Sequence, residues 1–328
     1  MDSIKILTCT ANMGNAEPTS LSAWIPAKGD VSQVTPLSEE AKEELEAGSF
    51  DIIMIGMQES TFTKKSSSVA YDIDDDDIDE QLKEEAEKGE VIASPANSTH
   101  SSSLKKPLQK LDSLLATEDS NCLRTMLKET LGDGYELMKE YQRGQMRLYL
   151  FAKVDLVPKI THLELKAENT GIAHVLANKG GIVCTLTIGR TRVTFLTAHL
   201  AAHEGNSYYK ARNSNIAEIL NGCKLGPKHL RGFDTSIMSH HMFIMGDLNY
   251  RTRLPGAKEM EKEEQVKTVM KMVEENKFEE LYSYDELSAG IEKKEMMVKF
   301  KTLPCNFNPT FKMLREEGFK YKDQRIPR

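Results

Sequence analysis

Five polar residues stand where apolar runs of the chain end. Asn12 follows residues 4–10 (IKILTCT), Glu59 follows residues 50–57 (FDIIMIGM), His199 lies in VTFLTAHL, and Asp247 and Asn249 follow HMFIMG. One polar residue at the end of a strand is ordinary. Five of them, all of metal-ligand or acid/base type, point to a site, because strand ends can converge on one rim of a sheet. Glu59 offers hard oxygens. A carboxylate there suits magnesium, which keeps several waters and takes one or two carboxylates plus phosphate oxygens. Asp247 and Asn249 are two residues apart, so on an extended chain they point the same way. One can orient or deprotonate a water while the other donates to a phosphoryl oxygen. His199 can donate to a phosphate oxygen as well. Lys179 lies in NKGG, whose two glycines let backbone N–H groups approach an anion, although that stretch alone reads equally as a turn. Such a set matches phosphoryl transfer, which asks mainly for positioning and charge stabilisation.

The elements that must hold these residues follow from the pattern. Residues 4–10 read as a short strand. Thr35 reads as an N-cap with Pro36 at the first helical position, glutamates in the early turns and Gly48 as the stop. The continuous apolar run at 50–57 predicts a strand buried on both faces. Residues 120–131 predict a helix. Strands follow at 134–141, 145–154, 159–167 and 181–188, and a hairpin turns about Gly189–Arg190–Thr191. Residues 207–221 predict a helix, 241–246 another buried strand, and 257–276 a charged helix. From residue 300 onward the chain reads as irregular. The expected architecture is α/β, two packed sheets covered by helices on their outer faces.

Residues 60–118 differ from the rest. They carry SSS twice, the acidic run DIDDDDIDE and few aromatics, so they bury too little surface to offset ordering and read as a disordered insertion. The acidic run lacks the glycine an EF-hand turn needs at its sixth position, and a solvated linker is the simpler reading.

Composition narrows the classes. Of 328 residues, 39% are hydrophobic and 28% charged, as in a globular protein with a sizeable core. A net charge of −7 argues against non-specific nucleic-acid binding as the main task. A local basic pocket remains compatible with it. The five cysteines are scattered and form no CxxC pair, which suits a reducing compartment. No leader pattern and no spanning apolar run is visible, so the expected location is cytoplasmic, with any membrane contact peripheral. His240 and His241 are adjacent and would face opposite ways on a strand, so they read as surface or packing histidines. His203 reads as a supporting residue, and Met270 and Met272 as core contacts. His174 and Trp24 each fit packing or a pocket rim.

Taken together, the stretches TANMGN (10–15), IGMQES (55–60), RLYLFAK (147–153), TGIAHVLANKGG (170–181), TAHLAAHEGN (197–206), GDLNYR (246–251) and NPTFKMLREEGFKYKDQRIP (308–327) resemble the inositol polyphosphate 5-phosphatases. These lie within the larger group related to DNase I. The order and spacing fit across nearly the whole chain outside the insertion. The resemblance implies a four-layer α/β sandwich and a single catalytic domain over residues 1–328. It implies that Glu59 binds magnesium with Asn12 in the metal or phosphate shell, and that His199 contacts the scissile phosphate. Asp247 would activate water, Asn249 would stabilise the transferring group, and Lys179 would hold substrate phosphates. Lys312, Lys322 and Arg325 match basic positions that meet the neighbouring 4-phosphate. The implied substrates are phosphoinositide lipids or soluble inositol phosphates, met at a membrane surface or in solution, and not nucleic acid.

One departure stands out. After the arginine-x-proline step the family continues with an aromatic-Cys-Asp-Arg stretch and a Ser-Asp-His motif, whereas this sequence reads Arg325-Ile326-Pro327-Arg328. Those absent groups help offset the charge of a poor alkoxide leaving group. The expectation is therefore that the 328 residues by themselves are close to inactive and poorly stable, with a bare sheet edge.

Overall fold

The computed structural model describes residues 3–22, 24–34, 48–61, 120–170, 179–230, 232–314, 320–322 and 325–328. The described residues of Met1–Val34, Glu46–His203 and Glu218–Leu248 form one compact unit, and those of Glu204–Ala217 and Asn249–Arg328 belong to a second. The helix expected from Thr35, His174 and all of the insertion expected at 60–118 except Ser60 and Thr61 lie outside the described residues. Ser60 is fully buried, so the packed chain runs past the expected start of the insertion.

The first unit is built on two mixed sheets. Strands β1 (Ile6–Asn12), β2 (Ile52–Gln58), β3 (Tyr135–Arg143) and β4 (Met146–Lys153) make one sheet in the order β1-β2-β4-β3. Strands β5 (Ile160–Asn169), β6 (Gly180–Ile188), β7 (Thr191–His199) and β8 (His241–Asp247) make the other in the order β5-β6-β7-β8. Pairing is antiparallel except for two parallel pairs, β1 with β2 and β7 with β8. Facing side chains of the two sheets form the core, with Ile52, Met54, Leu148 and Leu150 from one and Ile182, Cys184, Leu186 and Phe195 from the other.

Burial explains the sequence patterns. Every residue of β2 is buried, as its unbroken apolar run predicts for an internal strand. Helix α1 (Ser120–Leu131) buries Leu123, Leu127 and Leu131, spaced four apart on one face. Strand β8 differs from its expectation as a buried strand. Only Met245 of it is buried, and Phe243 is 39% exposed. It is the outermost described strand of its sheet, so only β7 covers its pairing edge. All five cysteines are free.

Helix α2 (Asn206–Gly222) runs from the second unit into the first. Its Ile219 lies where a Cβ on Gly181 would meet it at 2.8 Å, and a Cβ on Gly180 would stand 2.2 Å from the Glu168 carbonyl. The paired glycines of NKGG are thus required by packing, a reason the sequence reading had not given them. In the second unit, α3 (Lys262–Glu274), α4 (Phe278–Ser283) and α5 (Glu286–Glu292) follow one another. Leu254, Val269, Leu281 and Ile326 form its core, with Met272 packed against it. Helix α3 starts five residues later than its charge pattern suggests. The Gln265 amide donates to the carbonyls of Ala257 (2.9 Å) and Met260 (3.1 Å), which holds that stretch as a turn ahead of the helix. Beyond residue 300 the described chain is irregular, with one isolated bridge between Met313 and Tyr321.

Candidate active site

The two parallel pairs bring four strand ends to the site. In the register, Asn12 of β1 is paired with Gln58 of β2, and His199 of β7 with Asp247 of β8. Gly180, which opens β6, is opposite His199, so Lys179 sits one residue from the same rim. Asn12, Glu59, Lys179, His199 and Asp247 therefore come together in the first unit as their positions at strand ends predict.

Asn12 lies between the two carboxylates. Its Nδ2 donates to Glu59 Oε1 at 2.5 Å and to Asp247 Oδ2 at 2.9 Å. Its own oxygen accepts from the Gly14 N–H at 2.9 Å, which fixes the nitrogen end toward the acids. In this arrangement Asn12 is a bridge, since an amide nitrogen does not ligate a metal. The His199 ring is buried, with Nε2 at 3.7 Å from Asp247 Oδ2 and 4.0 Å from Glu59 Oε1. Lys179 Nζ lies 3.0 Å from the same nitrogen. An ammonium has no lone pair, so beside a charged Lys179 the imidazole Nε2 accepts. Donation from that atom to a phosphate then requires Lys179 to shift onto the anion first.

One donor atom each from Glu59, His199 and Asp247 lies within 4.8 Å of the others, the geometry of a potential metal site. Two carboxylates converging on a single amide nitrogen repel one another, and a cation between them relieves that repulsion. Hard oxygen donors with room for water suit magnesium or calcium better than a soft metal.

The backbone supports these positions at some conformational cost. Glu59 adopts a left-handed conformation (φ 48°). Its carbonyl accepts from Asn15 N–H at 2.6 Å. Gly246 has φ 129°, and a Cβ there would stand 2.0 Å from the Ala198 carbonyl, so only glycine lets β8 approach β7 one residue before Asp247. Buried Gln58 donates through Nε2 to Thr197 Oγ1 at 3.1 Å, tying β2 to β7 just below the acids. Sequence reasoning passed over Gln58 and Asn15. A glutamine at the end of an otherwise apolar buried run was the available signal.

Asn249, Lys312, Lys322 and Arg325 belong to the second unit. There the amide oxygen of Asn249 accepts from Arg251 at 3.0 Å and from Arg328 at 3.3 Å, which marks its nitrogen as the donor end. Asn249 is also left-handed (φ 59°), so it does not continue the extended run of β8 on which same-face alignment with Asp247 was expected. Arg328 stacks 3.6 Å from the Phe311 ring centroid and exchanges backbone hydrogen bonds with Phe311. Lys322 N–H donates to the Lys312 carbonyl at 2.8 Å, and Arg325 N–H to the Lys322 carbonyl at 3.4 Å, so the three expected basic residues share one loop system. His240 accepts from the Arg192 N–H at 2.9 Å and is exposed, the surface position of the two expected for it. Among the described residues no helix is long and apolar enough to cross a membrane.

Residues 9–328 match the family model described as endonuclease/exonuclease/phosphatase family 2. Among curated proteins, phosphatidylinositol 3,4,5-trisphosphate 5-phosphatase 2A of Danio rerio is 28% identical over 193 residues, covering 59% of this chain and 14% of its own length. The Homo sapiens phosphatidylinositol 3,4,5-trisphosphate 5-phosphatase 2 gives the same values. The chain thus matches about a seventh of the length of these relatives. Among solved structures, the inositol polyphosphate 5-phosphatase domain of SPsynaptojanin, bound to inositol (1,4)-bisphosphate and calcium, superposes with a TM-score of 0.62 at 20% identity, covering 99% of this chain and 73% of that one. A Cimex nitrophorin ferrous NO complex superposes with a TM-score of 0.55 at 16% identity, covering 99% and 83%. One fold therefore carries unlike chemistries, and the side chains at the rim must decide between them.

Proposed function

The chain belongs to the endonuclease/exonuclease/phosphatase family 2, and on that premise we propose that it is of the inositol polyphosphate 5-phosphatase kind and hydrolyses the 5-phosphate of phosphoinositides or soluble inositol polyphosphates with magnesium. The observation that carries this reading is the convergence of Glu59, His199 and Asp247 on one rim, with Asn12 bridging the acids. Glu59 and Asp247 would hold the metal, with Asn12 in its outer shell. Bound magnesium supplies charge neutralisation at the phosphoryl oxygens. Asp247 orients the attacking water and accepts its proton. His199 and Lys179 meet the scissile phosphate, the lysine as a point charge. Asn249 offers its amide nitrogen to a phosphoryl oxygen, and Lys312, Lys322 and Arg325 meet the 4-phosphate. The single catalytic domain over 1–328, with its insertion at 60–118, is part of this proposal. So are a cytoplasmic location and peripheral contact with a lipid surface.

The test is calorimetry with soluble inositol 1,4,5-trisphosphate, with and without magnesium, alongside phosphate release from that compound and from vesicles containing phosphatidylinositol 4,5-bisphosphate. Saturable, magnesium-dependent binding that Glu59→Gln abolishes is the expected result. Binding that ignores both magnesium and Glu59→Gln, or no binding at all, overturns the reading. Comparing the soluble compound with the vesicles separates the two substrate classes.

A further inference from the structure

Arg147 is an anomaly in its strand. It sits near the start of β4 among buried apolar residues (Met146, Leu148, Leu150 and Phe151) and is itself 1% exposed. A buried guanidinium loses much hydration, and an apolar residue of similar volume is often as stable or more so in such a place. Its burial here finds a reason in what it touches. Its Nε donates to the Ser60 carbonyl at 2.8 Å.

That carbonyl belongs to a short clamp. Glu59 is left-handed, a conformation that persists in a non-glycine residue only where its surroundings impose it. Three consecutive backbone groups beside it are held. The Glu59 carbonyl accepts from Asn15 N–H at 2.6 Å, and the Ser60 N–H donates to the Gln145 carbonyl at 3.0 Å, where the Ser60 hydroxyl also donates. The Ser60 carbonyl takes Arg147. The clamp closes from two sides, with Asn15 just beyond the end of β1 on one and, on the other, Arg147 of β4 together with Gln145, the residue before that strand. On the same face of β4, Tyr149 stands in the register opposite Glu140, which is itself paired with Arg124 of α1, so the guanidinium lies beside a polar rather than a wholly apolar neighbourhood.

We infer that Arg147 is a positioning residue for Glu59, fixing through the Ser60 carbonyl the direction from which the Glu59 carboxylate meets a divalent cation. This rests on the metal reading of the site given above. Outer groups that orient a ligand are commonly worth ten- to a hundredfold in metal affinity. Arg147 touches no reacting atom, so its effect belongs to metal affinity rather than to the water or the phosphate.

The experiment measures magnesium affinity of the 328-residue chain without substrate, by calorimetry and by the magnesium-induced shift in Tm. It compares wild type with Arg147→Met, Arg147→Lys and a core control, Leu186→Ala on β6. Arg147→Met should stay folded and bind magnesium about tenfold or more weakly. Arg147→Lys keeps the charge and loses the Nε–H, and should weaken binding in the same direction. Leu186→Ala should lower the Tm with magnesium affinity unchanged. Wild-type affinity in a folded Arg147→Met overturns the inference. If that variant does not fold, Arg147→Lys decides by the same criterion. A wild-type chain that binds no divalent ion removes the metal reading and this inference with it, whereas binding by wild type that both Arg147 variants keep removes this inference alone.

Discussion

The two acids of the site stand on unlike supports. Glu59 follows β2, an internal strand with every residue buried, and its backbone is clamped by Asn15, Gln145 and Arg147. Asp247 ends β8, an outer strand with one buried residue, and depends on its parallel pairing with β7 and on the close approach allowed by Gly246. The contrast teaches that a carboxylate can be fixed either by a dense core and a backbone clamp or by an outer strand's pairing and the Asn12 bridge. The second is the more vulnerable, because the strand's close approach turns on the one peptide geometry at Gly246.

The change expected to matter most is at that weak point. Gly246→Ala places a Cβ against the Ala198 carbonyl at a φ of 129°. It should cost more than about 3 kcal/mol, at the upper end of single-residue effects, and should uncouple Asp247 from His199. Chemical denaturation checks it, and a loss below about 1 kcal/mol would mean that β8 yields where β2 could not. Next, Ile55→Ala in β2 should cost about 2–5 kcal/mol, as cavities in a dense core do. Phe243→Ala in β8 should cost clearly less, because its ring is 39% exposed and keeps only one face stacked on Phe195. Equal costs would erase the contrast.

A smaller effect concerns pH. Burial pushes the thiols of Cys9, Cys184 and Cys223 up to about 12 from an ordinary 9.0. The folded chain therefore holds these protons where the unfolded chain has released them. Their contribution to stability is complete below about pH 9 and falls as the pH rises from there toward about 12. Melting curves across that window should show the decline, and Cys184→Ser or Cys9→Ala should flatten it. At neutral pH a thiol reagent should label the exposed Cys122 well ahead of those three.

Much of this was legible in the sequence because the signals were local. The unbroken run ahead of Gln58 could only be an internal strand, and acids and amides at run ends told where the rim would be. The turn at Gly189–Arg190 likewise gave the β6–β7 hairpin. The rest depended on non-local geometry. Nothing in HMFIMG tells that β8 lies at the edge, since its composition matches that of an internal strand. Helices α4 and α5 are short and polar, and they form around Glu286, whose carboxylate is paired with Arg212 and Arg253. Those partners lie 74 and 33 residues away, beyond the reach of any periodicity. Nothing in the stretch RLYLFAK tells that Arg147 reaches the Ser60 carbonyl, 87 residues distant.

The bridge by Asn12 has a consequence for how the molecule comes to exist. It joins residues 235 positions apart in the chain. Both parallel pairs beneath it also close long loops, whereas β3–β4 and β6–β7 are tight hairpins. Local pairings form early and distant ones late, because chain closure must come first. The site is therefore expected to be among the last parts of the protein to assemble, and a ribosome must have released Asp247 before the acids can meet. On refolding, amide protection in the two hairpins should precede any response to magnesium, and a magnesium response in the first kinetic phase would contradict that order.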